Sequence, residues 1–498
     1  MPSFCSCIEI RETEIGMEYL NLEDSSGLFR NFERISRIPR GSGNTAAISA
    51  YVTAFARERG LEAFQDAIGN VLVRKPAAPG SETAEPVILQ GHLDMVCVSD
   101  GTREHDFQKD PLELFTDGDW LGARGTTLGA DDGFAVAAML AIMEDPSLPA
   151  PPLELVFTVN EETDMSGAEA FDYSLLRGRR MINLDSEDEG ILTAGCAGGT
   201  HAVGCLPVSY CEVGALWYEV CFTGLLGGHS GTEIHCGRIN AALLAGRFLK
   251  KLEERLPFAL SELESGTVDN AIPDSARMLV GIGEEDENTF KSLAEEFQEE
   301  IRREYAGTDG SLLLQLNRRG GGAQPALGMT SLGKLLLFLN LVPNGVQKMN
   351  GFHPELVETS TNLGVLKLLP DKLYARFCIR SSDGAAGAYL TERICMLTEF
   401  LGGSFTADGQ YPVWEYAQDS PFRERMLDQY RILTGKEMTV DVIHAGLECG
   451  YFYDALPGLE CVSIGPDIPD IHTAKERLSI SSAERVYTYL LRVLASLA

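Results

Sequence analysis

Nowhere does the chain approach the ~18 consecutive apolar residues that a membrane-spanning helix needs, so no membrane span is expected. Basic residues are also scarce: 41 Lys and Arg stand against 73 Asp and Glu, a net charge of −32. A surface so acidic repels phosphate backbones, which argues against general nucleic-acid binding. The twelve cysteines include no paired C-x-x-C knuckles. That argues against a zinc ribbon and leaves scattered reduced thiols in a cytoplasmic protein as the simplest account. Residues 1–15 carry Cys5 and Cys7 but no basic run followed by an apolar core, so they do not read as a secretory signal.

What is present is an ordinary globular composition, 44% hydrophobic and 23% charged. It excludes a disordered chain, a coiled coil and a collagen-like fibre. At 498 residues the chain exceeds one ordinary domain of ~100–200 residues. Residues 1–25 show weak periodicity and are expected to be a flexible extension. Ser26 is placed to cap a short helix with Phe29, Phe32 and Ile35 on one face, and a second helix is expected over 45–59 with Gly60 as its stop. Apolar runs at 71–73, 87–89, 153–159 and 182–184 read as strands, and 133–143 as an apolar helix between them. Strands alternating with helices predict a doubly wound α/β fold with a mixed or parallel sheet.

From about residue 204 the pattern changes to acidic amphipathic helices, 288–305 among them. The glycine-rich stretch 317–322 is expected as an exposed loop. The α/β rhythm returns near 420, with a helix at 421–434, strands at 438–443 and 461–464, and a closing helix at 482–497. The expected organisation is one α/β domain, 26–203 and 413–498, interrupted by an insertion at 204–412 with room for two α+β units.

The chain has only eight histidines, and what surrounds each one decides its reading. His92 and Asp94 follow the run at 87–89. Glu161 and Glu162 follow 153–159, and Asp185 follows 182–184. His444 follows 438–443, and His472 lies in the loop after 461–464. Asp131 and Asp132 immediately precede the apolar helix. Ligands of an open α/β sheet bind outside the carboxyl ends of its strands. Parallel strands would therefore gather these groups along one edge. Histidines converging with several carboxylates suit zinc, and also manganese or cobalt. Two ions can share one bridging carboxylate and clamp a hydrolytic water between them. Strand-end carboxylates also serve as caps and turn formers, an account that fits one of them more easily than all together. In the pair Glu161-Glu162 neighbouring side chains diverge, so one can bind metal while the other acts as a general base. Two solvated glutamates at a strand end are the plainer reading of that pair alone.

Several segments resemble, in order, the dinuclear zinc peptidase superfamily that includes acylases, desuccinylases and glutamate-releasing carboxypeptidases. They are LQGHLDMV at 89–96, RGTTLGADDG at 124–133, NEETDMSGA at 160–168, INLDSEDEG at 182–190 and GCAGG at 195–199. GGHSGTEIHCGRINA at 227–241, NAIP at 270–273, VETS at 357–360, HAGLECG at 444–450 and SIGPDIPDIHTAKERLSI at 463–480 follow. Within that superfamily the chain is most similar to the branch of aminoacyl-histidine dipeptidases, which also cleave carnosine-like dipeptides.

The resemblance implies metal-dependent hydrolysis of dipeptides with a free N-terminus. His92 and Asp185 would hold one zinc, Glu162 and His472 the other, and Asp131 would bridge them. Glu161 would be the general base, and Asp94 would orient His92. The insertion would be the lid. There His229 would reach the substrate carbonyl oxygen, while Asn270 and Arg380 would hold substrate, Arg380 by its C-terminal carboxylate. His444 and Glu448 would lie in a substrate-side loop. Packing or loop structure is the competing account of Asn270, Arg380, His444 and Glu448. The resemblance further implies two divalent ions per chain (zinc, with manganese or cobalt as alternatives), a small peptide substrate and a cytoplasmic homodimer, while the acidic charge and the lack of a long apolar run argue against a nucleic-acid or membrane partner.

The chain departs from the family in having Asp132 where Asn is usual and TAKE after His472 where many relatives have a Ser-Pro pair. An N-acyl-amino-acid amidohydrolase would present the same metal ligands. A silent binding protein on the same fold would be expected to have lost a ligand or the base. His105, His201 and His353 have no motif support and read as surface or core residues, and the role of His235 is open.

Overall fold

Phe29, Phe32 and Ile35 recur at helical spacing, and Leu28–Ser36 is a helix that buries all three. The computed structural model describes residues 26–351, 354 and 356–498. The expected N-terminal extension, with Cys5 and Cys7, and His353 lie outside the described residues. A second helix, Ala46–Glu58, buries Ile48, Val52 and Phe55 and stops before Gly60, whose φ of +74° is the left-handed conformation that ends helices.

Two compact units divide the chain. The first runs through residue 191 and takes in 424–438 and 463–498. In it the apolar runs form strands side by side in the order Glu62–Gln65, Val71–Lys75, Leu153–Thr158, Val87–His92, Arg180–Asn183. The last three are parallel to one another, and the first two are antiparallel. Val87–His92 and Leu153–Thr158 are buried at every position, as parallel strands covered on both faces must be. The helix Ala130–Glu144 buries Phe134, Val136, Met139, Leu140 and Ile142. Tyr489 of the closing helix Ile480–Leu497 packs edge-on against Tyr430 and donates its hydroxyl to the carbonyl of Met426 at 2.9 Å. Because the three parallel strands run the same way, His92 and the residues that follow Thr158 and Asn183 emerge on one edge.

The second unit comprises 192–423 and 439–462. Its nine-stranded sheet pairs antiparallel throughout the ladders described here. Helices Ala241–Glu253, Glu287–Glu304, Met329–Leu341 and Gly384–Phe400 contribute to one apolar core with it. Phe222, Phe248 and Phe297 interlock there as tilted and edge-on rings. Elsewhere in this unit Ile191–Cys196 lies between Glu460–Ser463 and Thr439–Ile443.

These units do not follow the boundaries drawn from the pattern change at 204 and 412. Strand Gly198–Pro207 pairs along its whole length with Lys372–Ser381, which carries residues 198–203 into the second unit. Trp414 pairs with Cys196, and 439–462 join the same unit.

One expectation is corrected. Residues 317–322 are not an exposed loop but the middle of strand Leu313–Leu327, paired with Tyr210–Thr223. The register shifts between Trp217 and Tyr218, and Gly320, opposite Trp217, has φ of +104°. The buried Trp217 donates its indole N–H to the carbonyl of Gly322 at 2.8 Å. The glycines accommodate a bulge and a large ring rather than a turn. The ten cysteines among the described residues are free thiols. None of the described helices is long and apolar enough to cross a membrane.

Candidate metal centre

The first unit delivers two imidazoles to opposite oxygens of one carboxylate. His92, the last residue of its strand and 1% exposed, places Nε2 3.1 Å from Asp131 Oδ1. The same nitrogen lies 3.5 Å from Asp185 Oδ1 and 4.0 Å from Glu161 Oε2. His472 places Nε2 3.2 Å from Asp131 Oδ2 and 3.0 Å from Glu162 Oε2. Ligand atoms of Asp131, Glu162 and His472 lie within 4.8 Å of one another, as do those of His92, Glu161 and Glu162 and those of His92, Asp132 and Asp185. His92, Asp94, Asp131, Glu161, Glu162, Asp185 and His472, all expected from the sequence, are thus brought together.

The electrostatics are those of carboxylates crowded around cations. Hydrogen bonds donated to Asp131 and Glu162 hold the His472 imidazole up at about 11, against burial. Burial pushes Asp185 up to about 6, although His92 pulls the other way. Burial, with Asp131 and Asp185 nearby, pushes Glu187 up to about 8. For Asp131 burial acts upward, but hydrogen bonds from His472 and His92 hold it well below the carboxylate range. Imidazole nitrogens and carboxylate oxygens in this arrangement fit two borderline divalent ions sharing Asp131.

Asp94 supports this arrangement from behind. The Nδ1 of His92 faces it, 3.2 Å from the backbone oxygen and 3.6 Å from Oδ1, which leaves Nε2 for the cluster. The buried Asp94 carboxylate also accepts the backbone N–H groups of Glu161 at 3.1 Å and Glu162 at 3.3 Å, and the Ser42 hydroxyl at 2.8 Å. Asn160, Asp470 and His472 adopt φ near +60°. Each such residue costs ~1–3 kcal/mol and persists only where its surroundings impose it.

Asp132 is engaged on both oxygens. Oδ2 accepts the His92 N–H at 3.1 Å and Oδ1 the Ala135 N–H at 3.3 Å. Residues 131 and 132 are not helical, so the regular helix begins at Gly133 with Asp132 as its cap. A Cβ at Gly91 would fall 2.3 Å from Asp132 Oδ2, which is why glycine precedes His92.

Two residues here were not singled out from the sequence. Arg40, 2% exposed, donates to the carbonyls of Leu93 at 3.0 Å, Asp94 at 2.9 Å and Gly129. Glu476, 4% exposed, accepts the backbone N–H groups of Leu128, Gly129, Ala130 and Asp131. Position alone hinted at Glu476, four residues after His472.

The five substrate-side candidates lie in the second unit. His229 pairs with Ala271 in a two-stranded ladder, and Ser230 N–H donates to the carbonyl of Asn270 at 2.8 Å. The buried Arg380 donates to the Tyr411 hydroxyl at 2.6 Å and sits opposite Ser360, whose hydroxyl is 2.7 Å from His444 Nε2. Burial, then the neighbouring Arg380, His235 and His229, hold His444 down at about 3, a neutral imidazole. A Cβ at Gly231 would fall 2.5 Å from the His444 carbonyl, so the His229 and His444 loops abut. Glu448 is fully buried at the start of helix Cys449–Ala455. His201 is structural, bonded to Asp269 at 2.8 Å beside Arg376. His105 packs edge-on against Phe107.

Residues 88–496 match the family model of peptidase family M20/M25/M40. The chain is 36% identical over 465 residues to the cytosol non-specific dipeptidase of Escherichia coli (strain K12), covering 93% of this chain and 96% of that one. It superposes on the crystal structure of aminoacylhistidine dipeptidase from Vibrio alginolyticus with a TM-score of 0.88 and 32% identity, covering 97% and 99% of the two chains. The aminopeptidase PepT from Bacillus cereus ATCC 10987 shares the fold, with a TM-score of 0.53 at 14% identity over 95% and 98% of the chains.

Proposed function

Because the chain belongs to peptidase family M20/M25/M40, we propose that it is a metal-dependent dipeptidase acting on dipeptides with a free N-terminus, Xaa-His among them. The observation that carries this reading is Asp131, its two oxygens divided between His92 and His472 with Glu161, Glu162 and Asp185 around it. His92 and Asp185 would hold one ion, Glu162 and His472 the other, and Asp131 both. Zinc is the proposed metal. Bound there, two such ions would polarise the scissile carbonyl and lower the pKa of the attacking water.

The chain's own groups do the rest. Glu161 takes the proton of the attacking water and passes it to the leaving amine. Asp94 keeps the His92 ring and the Glu161 main chain in place. In the second unit, proposed as the lid, His229 is assigned to the carbonyl oxygen, Asn270 to the substrate backbone and Arg380 to the terminal carboxylate. His444, neutral by burial, and Glu448 are assigned to the same substrate-side surface. A homodimer and a cytoplasmic location belong to the same proposal, the location supported by the cytosolic name of the E. coli relative. The dipeptidase names of the two relatives above 30% identity favour this reading over an N-acyl-amino-acid amidohydrolase.

A panel of Ala-His, β-Ala-His, Leu-Ala, a tripeptide and N-acetyl amino acids, given to metal-loaded protein, tests the proposal. Chelator-sensitive cleavage of the free-amine dipeptides alone is the expected result. Cleavage confined to the N-acetyl compounds would overturn it.

A further inference from the structure

Among the stretches of chain that meet at the cluster are 92–94, 128–131 and 472–476. Two buried charged side chains, neither of them facing the cluster as a ligand, tie these stretches together. Glu476 reaches from the His472 loop and receives four successive backbone N–H groups, Leu128 at 2.8 Å, Gly129 at 3.0 Å, Ala130 at 2.7 Å and Asp131 at 3.3 Å. Arg40 then takes the carbonyl of Gly129 from the same stretch and those of Leu93 and Asp94 from the His92 loop.

These bonds are not an ordinary helix cap. The regular helix starts only at Gly133, and Asp132 already caps it through the Ala135 N–H. The amides that Glu476 gathers lie upstream, in the irregular backbone that presents Asp131. On the other side, Glu476 ends a short loop in which His472 is held at φ +60°. That loop is closed by its own bonds, Glu476 N–H to the Thr473 carbonyl at 3.1 Å and Thr473 hydroxyl to the Asp470 carbonyl at 2.7 Å. Fixing Glu476 therefore fixes His472 relative to Asp131, and those two side chains stand 3.2 Å apart.

We propose that Glu476 and Arg40 are positioning residues that set the separation of the two metal-binding halves, with Glu476 holding Asp131 against His472 and Arg40 holding Asp131 against His92. The inference rests on the reading above that Asp131, His92 and His472 bind metal.

Its test needs a control for plain loss of stability. Glu154 provides one: it is 3% exposed and accepts the N–H groups of Arg177 and Gly178, away from the cluster. Cobalt(II) is loaded into full-length protein carrying Glu476→Gln, Arg40→Lys or Glu154→Gln. Affinity is measured by chelator competition and coordination by the visible absorption band, with circular dichroism to confirm folding. Glu476→Gln is expected to weaken cobalt binding ~10–100-fold, the range seen when partners of metal ligands are lost, and to alter the band. Arg40→Lys keeps the charge but loses the planar fork, and it carries the same expectation should the Glu476 variant not fold. Glu154→Gln is expected to lower the melting temperature while leaving affinity and band unchanged. Wild-type affinity and band in folded Glu476→Gln or Arg40→Lys protein would overturn the inference while leaving the metal reading intact, and so would an equal loss in Glu154→Gln. Wild-type protein that binds no cobalt would overturn both.

Discussion

Asp94 accepts the backbone N–H of Glu161 at 3.1 Å while its own backbone oxygen and Oδ1 face the Nδ1 of His92. One buried residue thus faces the imidazole proposed as a ligand and holds the start of the short helix Glu161–Asp164 that carries the proposed base. Replacing Asp94 with Ala removes the carboxylate beside the ring, though not the backbone oxygen at 3.2 Å, and leaves the N–H groups of Glu161 and Glu162 without that acceptor. A ~10–100-fold fall in kcat/KM or metal affinity is expected, measured by steady-state kinetics on Ala-His beside metal analysis. Kinetics and metal content equal to wild type would remove Asp94 from this role.

Glu161 makes a sharper case because its proposed role is in proton transfer and not in holding metal. Glu161→Gln keeps the shape and loses the base. Turnover should fall ~10²–10⁴-fold, the usual contribution of a positioned general base, while metal content by elemental analysis stays as in wild type. Loss of metal along with activity would make Glu161 a ligand instead.

His472 is the opposite case. It sits 3.0 Å from Glu162 and 3.2 Å from Asp131. His472→Ala should lower metal content by about one ion per chain, since three protein ligands are the usual minimum for a catalytic zinc. Unchanged stoichiometry would exclude His472 from the ligand set.

Glu144 tests the electrostatics of the surrounding fold. It pairs with Arg30 at 2.9 Å, Arg34 at 3.0 Å and Arg59 at 2.8 Å, joining three helices of the first unit. Burial would raise its pKa, but hydrogen bonds from Arg30, Asn31, Arg34 and Arg59 outweigh that and hold it at about 2, below its ordinary 4.5. A folded-state pKa below the unfolded one means a contribution fully present above pH 4.5 and lost as pH falls through about 2. Glu144→Gln should therefore melt earlier than wild type at pH 7, and the gap should close between pH 4.5 and pH 2. A gap independent of pH would show that the ion pairs contribute nothing.

The strand-end positions of His92, Glu161, Glu162 and Asp185 were legible in the sequence because apolar runs mark strands and parallel strands end on one edge. Asp131, just before the apolar helix, and His472, in the loop after 461–464, were placed at that edge less directly, since neither sits at the end of a strand. The run at 317–322 was misread because glycine marks a bulge as readily as a turn. Only the opposing Trp217, about a hundred residues away in sequence, decides between them. The burial of Arg40 and Glu476 was invisible for a similar reason. A charged residue in an acidic chain looks solvated until the fold shows it buried and bonded to backbone from distant segments. From the sequence, Asp132 beside Asp131 could alter metal affinity or cap the helix at Gly133, and its two backbone bonds favour the cap.

Dipeptide cleavage is proposed to need two ions held by this one cluster. The most direct test is to strip the protein with chelator and titrate zinc back while following hydrolysis of Ala-His. No turnover is expected in stripped protein, followed by a rise that levels off at about two equivalents per chain, as a shared-carboxylate pair requires. Full activity in stripped protein, or a plateau at one equivalent, would contradict the two-ion requirement.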